Sequence, residues 1–261
     1  VHRIERARAA GIEVFADQYP YQASATGLSS ALVPHWAVDG GRDALLERLD
    51  DPALYDSLYA GMADGLDRRG GAERIQFRRV EADPSIEGRT LADVAAERGQ
   101  DPIEAAMALL REGSPRIVSF NMHANDVHRF MRQPWTMTAS DGALVAMDDG
   151  VPHPRSYGAF AHKIRRYVVE DGVIDLAAAV RSMTVAPASV YNIAERGMIR
   201  PGARADVVVF DLEAVNHPGT YSDPHHLSEG MVHVLVNGEP AIEDGRFTGM
   251  MSGQVLSRGG S

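Results

Sequence analysis

No cysteine occurs among the 261 residues, which rules out disulfides and thiolate metal ligands within them. No run of Lys and Arg is dense enough to make a nucleic-acid surface, and a net charge of −10 argues the same way. No apolar run reaches membrane-spanning length, and no signal-peptide pattern is present. No methionine opens the chain. Val1 leads into Ile4-Glu-Arg-Ala-Arg-Ala-Ala10, which reads as mid-helix, with Gly11 where a C-terminal cap belongs. Ile12-Glu-Val-Phe-Ala16 then reads as a strand. A helix running straight into a strand at the first residue gives the expectation that these residues are the C-terminal part of a longer protein. What is present, 44% hydrophobic and 24% charged residues, is the composition of a soluble globular protein able to bury a sizeable core. The expected compartment is the cytoplasm, with which the lack of cysteine is compatible. Oligomeric state is left open.

The stretch Trp135-Thr-Met-Thr-Ala-Ser-Asp-Gly142 organises the rest. Thr136 to Ala139 are β-formers and small residues, as in a buried strand. Ser140-Asp141-Gly142 ends it with a carboxylate and a glycine. In an α/β barrel the chemistry sits at the carboxyl ends of the strands. A carboxylate there can hold a metal ion or take a proton from a metal-bound water. The structural alternative is a turn cap, since Asp before Gly often plays that part. Farther on, His153-Pro-Arg-Ser-Tyr-Gly158 supplies two more candidates. Arg155 has the planar fork that matches a substrate carboxylate, and His153 suits orienting a water or a substrate. Both also fit an ordinary loop network.

Asp17-Gln-Tyr-Pro-Tyr21 closes the strand before it, because Pro20 cannot donate to a ladder. Its tyrosines suit a pocket mouth or a core edge equally. From Ala23 to about Asp83 the texture changes to Ser, Thr and Gly-Gly pairs between two helical stretches. That is too apolar for disorder and reads as an inserted subdomain or lid. Thr90-Leu-Ala-Asp93 has capping-box chemistry, and Asp101-Pro102 opens another helix. Ile117–Phe120 reads as a strand. Strand and helix alternate through to Asp141, which favours a parallel sheet or barrel. His123 and His128, five apart, lack the same-face spacing of a zinc helix and read as structural. His35, in a Pro/Trp turn, could be a ligand but reads as structural; His225-His226 look like a metal pair, yet between Pro224 and a Ser-Glu-Gly stretch they read as a surface loop. The last third is a small β module. Ala205-Asp-Val-Val-Val-Phe-Asp211 is a strand, and Asn237-Gly238 turns a hairpin. The module needs partner strands to close its core.

Taken in order, Asp17-Gln-Tyr-Pro-Tyr21, Ser119-Phe-Asn-Met122, Ser140-Asp-Gly142, His153-Pro-Arg-Ser-Tyr-Gly158, Met183-Thr184, Arg196-Gly197, Ala205 to Asp211 and Val236-Asn-Gly238 resemble the D-aminoacylases. These are N-acyl-D-amino-acid deacylases of the metal-dependent amidohydrolase superfamily. The resemblance implies the C-terminal part of a TIM-like (β/α)₈ barrel with an inserted subdomain and part of a small β-sandwich. The division implied is residues 1–24 barrel, 25–86 insertion, 87–197 barrel continuation with the last strand, and 198–261 the C-terminal share of the sandwich. It implies Zn2+ as cofactor, a small-molecule N-acyl-D-amino acid as substrate, and hydrolysis to a carboxylate and a D-amino acid. By the same resemblance Asp141 is the catalytic residue and a metal ligand. Tyr21, Ser24, His153, Arg155 and Tyr157 are substrate-binding.

The departures are specific. The family's His-X-His pair, bridging Cys and further His ligands are missing here, and His123-Ala-Asn125 stands where acidic residues are common. One carboxylate cannot make a catalytic site that needs three protein ligands. These residues alone are therefore expected neither to hold zinc tightly nor to turn over substrate. Two alternatives stay open: another amidohydrolase acting on cyclic amides or ureas, and a stand-alone domain without catalysis.

Overall fold

The computed structural model describes residues 1–256, so the last five residues of the expected 198–261 segment lie outside the described residues. Helix α1, His2–Ala9, ends in a turn that Gly11 makes at φ +83°, a conformation that costs a side-chain-bearing residue. Strand β1 is Ala16–Gln18. It starts later than the expected Ile12–Ala16, because its partner strand lies opposite only Ala16 to Gln18. Ile12 and Phe15 are accordingly exposed.

The next unit is built on a three-stranded antiparallel sheet. Strand β2, Ser24–Gly27, leads into α2, Leu28–Leu32, α3, His35–Val38, α4, Gly41–Asp50, and α5, Tyr55–Arg68. Strand β3, Ile75–Arg79, is followed by α6, Leu91–Arg98, α7, Pro102–Glu112, and strand β4, Arg116–Ser119. The sheet order is β2-β4-β3. Both caps read from the sequence are present. Thr90 and Asp93 close a reciprocal box, and Asp101 accepts from the Ile103 N–H at 2.8 Å. One apolar cluster runs from Leu28 through Leu58, Phe77, Leu91 and Leu109 to Ile117, so it continues past residue 86. The alternation around Ile117 does not produce a parallel strand: β4 pairs antiparallel on both sides. The helices before it pack inside their own unit and do not cross over to a barrel.

Helix α8, Ala124–Met131, precedes strand β5, Thr136–Thr138. His123 caps α8 by accepting from the Asn125 N–H at 3.2 Å. Strands β5 and β1 form the one parallel pair among the described residues, in register Ala16 with Thr136. The parallel sheet among the described residues is thus two strands. Gln18 reaches the carbonyl of Val127 in α8 at 3.2 Å. Helix α9, Arg155–His162, continues in π-helical turns over Lys163–Glu170. Helices α10, Leu176–Met183, and α11, Val185–Val190, follow. Lys163 is 3% exposed, and its ammonium donates to Thr138 at 2.6 Å and to Ser182 of α10 at 2.9 Å. Burial lowers its pKa to about 8. This buried cation ties the helix layer to the strand that leads to Asp141.

Strands β6, Val207–Phe210, β7, Met231–Val236, β8, Glu239–Glu243, and β9, Arg246–Phe247, make one antiparallel sheet in that order. Asn237 and Gly238 both have positive φ, as the type I′ turn requires. The described residues give a single sheet here, not the two layers of a sandwich, and no residue of these strands is fully buried. No helix among the described residues is long and apolar enough to cross a membrane.

Candidate active site

Asp141 follows β5 at φ +48°, and the Ser140 hydroxyl accepts from the Gly142 N–H at 3.3 Å. Gly142 is needed by contact. A Cβ there would stand 2.9 Å from the Cα of Ser156 and 3.0 Å from the carbonyl oxygen of Arg155. The turn after β5 therefore lies directly on the first turn of α9. This brings Asp141 Oδ2 to 2.9 Å from Arg155 Nη2. The Arg155 side chain is 9% exposed and that of Asp141 is 62% exposed. The Tyr19 ring packs on the Arg155 guanidinium, 4.7 Å from its centroid.

His153 is 1% exposed. Its Nε2 donates to the carbonyl of Ala23 at 3.0 Å, and its Nδ1 accepts from the Arg155 N–H at 3.1 Å. Both ring nitrogens are committed to backbone. Burial, the foremost cause, holds its pKa down to about 3, so the ring is neutral. Tyr21 meets His153 edge-on at 5.0 Å and stacks on His162 at 4.5 Å. Burial raises the Tyr21 pKa, and its buried hydroxyl has no partner among the described residues. A buried phenol without a partner is costly unless a ligand or water completes it.

Tyr157 lies farther along α9. Its hydroxyl lies 3.2 Å from the carbonyl of Ala146, to which it can donate, and 3.0 Å from His225 Nδ1. His225 Nε2 donates to Gly150 at 2.8 Å. Tyr157 and His225 together tie the loop after Asp141 to the C-terminal segment. Ser24 stands apart from Asp141 and pairs with the Asn121 side chain at 3.1 Å. The structure thus brings Asp141, Arg155, His153 and Tyr21 into one contiguous group with Tyr19, and sets Tyr157 and Ser24 at its borders.

Three residues of this group went unread in the sequence. Arg78 comes from β3, and its Nε is buried without a partner among the described residues. Burial first, then the charges of Arg116, Arg155 and Arg79, lower its pKa. Arg78, beside the buried Phe77 in the strand Ile75–Arg79, was the available signal. Tyr221 lies edge-on to His153 at 5.1 Å and to Phe120 at 4.8 Å, and His162 backs Tyr21. Nothing local in the sequence marks either. The group carries two guanidiniums and one carboxylate among aromatic walls. Chemically it can hold an anion and offer one carboxylate as a base. No cluster of three or more His, Cys, Asp or Glu among the described residues is placed to hold a metal ion.

Comparison with known proteins sets this geometry in a family. Residues 6–242 match the family model described as the amidohydrolase family. The N-acyl-D-glutamate deacylase of Alcaligenes xylosoxydans xylosoxydans is 36% identical over 235 residues, 90% of this chain and 40% of the relative. The D-aminoacylase of the same organism is 36% identical over 175 residues, 67% of this chain and 35% of the relative. Among solved structures, N-acyl-D-glutamate deacylase from Bordetella bronchiseptica, complexed with zinc and a phosphonate inhibitor, matches with a TM-score of 0.70. It is 34% identical over 92% of this chain and 42% of that one. A D-aminoacylase matches with a TM-score of 0.73 at 31% identity, over 98% of this chain and 45% of that one. The chain therefore spans less than half the length of these relatives. It belongs to the amidohydrolase family, with the D-aminoacylases as its relatives there.

Proposed function

We propose that these residues are the C-terminal part of a zinc-dependent hydrolase that cleaves the amide bond of N-acyl-D-amino acids, giving a carboxylate and a D-amino acid. The carrying observation is the Asp141–Arg155 pair at the end of the parallel β1–β5 unit, near Arg78, whose Nε is buried without a partner among the described residues. In this reading β1 and β5 are neighbouring strands of the barrel, residues from about Ser24 to Phe120 are the inserted unit, and residues from about 198 are one share of a β-sandwich. The shared sheet and apolar cluster between Ser24 and Ser119 support the wider insertion.

The described residues bring one carboxylate toward a metal, short of what zinc takes, and the roles below involve this chain's own groups only. Arg155 and Arg78 hold the substrate carboxylate. The Tyr21 hydroxyl donates to it and so gains the partner it lacks. Ser24 borders the same subsite, His153 fixes the backbone that carries Arg155, and Tyr157 holds the loop. Asp141 is half-exposed at the barrel rim. It takes the proton of the attacking water and delivers it to the leaving amine as the C–N bond breaks.

The test is turnover by the full-length protein on N-acetyl-D-amino acids, their L counterparts and a hydantoin. Cleavage of the D series alone is the expected result. Cleavage of the hydantoin alone would move the protein to the cyclic-amide hydrolases, and no hydrolysis by the metal-loaded protein would overturn catalysis altogether.

A further inference from the structure

A cavity of ≈ 460 Å³ opens in the inserted unit, and Asn121, the side-chain partner of Ser24, stands in its wall. Ser29, Ser30, His35, Arg68, Arg69 and Asn121 supply its polar wall. Arg68 is paired with Asp64. Arg69 is different. Its Nε donates to the carbonyl of Ala31 at 3.0 Å and its Nη1 to the Ser119 hydroxyl at 3.0 Å. With the Asn121 amide turned so that its nitrogen meets Ser24 and the Ser119 carbonyl, the amide oxygen also accepts from Arg69 Nη1 at 3.2 Å. These neutral groups fix the guanidinium in place. No carboxylate among the described residues pairs with it, and its Nη2 has no protein partner there.

We propose that this cavity receives the side chain of the substrate, and that Arg69 selects an acidic one, a carboxylate of the kind carried by D-glutamate or D-aspartate. The inference rests on the deacylase reading and deepens it. Position supports it first. Ser24 follows closely on Tyr21, and the Met122 N–H donates to the Gln22 carbonyl at 3.1 Å, so the cavity wall continues the segment that carries the phenol. Phe120, next to Asn121, packs on Tyr221, which packs on His153. Charge supports it second. An apolar side chain filling the cavity would strip water from Arg69 and give it no anion, a cost that discriminates strongly. A carboxylate there accepts from the pre-positioned fork. Burial and the neighbouring charge of Arg68 both work against the protonation of Arg69, and an anion relieves both.

The test uses the full-length, zinc-loaded protein. kcat/KM is measured on N-acetyl-D-glutamate, N-acetyl-D-glutamine and N-acetyl-D-leucine for the wild type, Arg69→Gln and Arg69→Lys. The wild type should prefer glutamate over glutamine by about tenfold or more, and Arg69→Gln should abolish that preference, mainly through KM. Arg69→Lys, which keeps the charge but not the fork, should retain part of it. An unchanged ratio in Arg69→Gln, or a wild type that prefers leucine, overturns the assignment while the deacylase reading stands. If no acylated D-amino acid is cleaved, the deacylase reading falls, and calorimetric titration of the same ligands decides the subsite. Glutamate-selective binding lost in Arg69→Gln upholds it; equal binding or none overturns it.

Discussion

At the residue scale, Asp141 combines exposure with a fixed partner. Asp141→Asn keeps an acceptor for Arg155 and removes the base. In the full-length protein kcat should fall about 10²- to 10⁴-fold, the usual weight of a positioned base, with the thermal midpoint nearly unmoved. Turnover near the wild-type rate would remove Asp141 from the proposed role. The buried imidazoles give a second prediction. His153 and His162 have pKa values pushed down to about 3 and about 4, mainly by burial. Below the ordinary histidine range the unfolded chain takes up protons that the folded chain refuses. Stability is therefore complete above pH ~6.5 and is lost as pH falls toward 4, by at most about 1.4 kcal/mol per pH unit for each ring. His162→Phe keeps the stack on Tyr21 and removes one titrating group. Urea unfolding between pH 4 and 7 should show a shallower acid slope for this variant, and an unchanged slope would refute the assignment. Asp141, Arg155 and His153 were legible because short motifs carry them. Arg78 and Tyr221 were not, because each reaches the group only through the packing of a distant segment, which leaves no mark in local residue order.

At the element scale, capped helices and glycine turns were the most readable features. Thr90, Asp101 and the Asn237-Gly238 turn each act through neighbours a few residues away, so local order suffices to find them. Strand partnership was misread, since alternation between helix and strand cannot distinguish a barrel crossover from a unit that folds back on itself. Ile117 reads the same in either case, and only its antiparallel pairing decides. The glycine that ends the His153–Gly158 motif shows a similar dependence. Gly158 sits in α9, and a Cβ on it would fall 1.9 Å from Cγ of the His217 ring. His217 is itself buried, with its Nε2 3.1 Å from the His226 carbonyl, so it has nowhere to retreat. Gly158→Ala should destabilise by about 3 kcal/mol or more, at the upper end for overpacking, and should loosen the C-terminal segment from α9. Hydrogen exchange of residues 214–230 against α9 reads this directly, and a variant as stable and as protected as the wild type would show that the contact yields freely.

At the scale of the whole molecule, two features point the same way. Val208, Val209 and Phe247 leave the four-stranded sheet with apolar side chains in water, and Ile12 and Phe15 do the same before β1. Val208 and Val209, consecutive in β6, point to opposite faces, so both faces of that strand carry exposed apolar side chains that another element could cover. The candidate site shows the chemical counterpart, one carboxylate and two arginines, with no set of metal ligands among the described residues. Strand β5 is buried on both faces while β1 is left half-open, so in the deacylase reading one source, further strands beside β1, would supply both the cover and the additional ligands. Residues 1–261 expressed alone should then self-associate with rising concentration and bind an apolar dye. In competition with a chromogenic chelator they should take up zinc no better than their Asp141→Asn variant. Joined to the remainder of the parent protein, the same residues should lose the dye signal and hold zinc in a manner that Asp141→Asn weakens. A monodisperse, dye-silent chain that holds zinc unaided would instead mean that the sheet and the site close within these residues, and the reading of a shared barrel would fall with it.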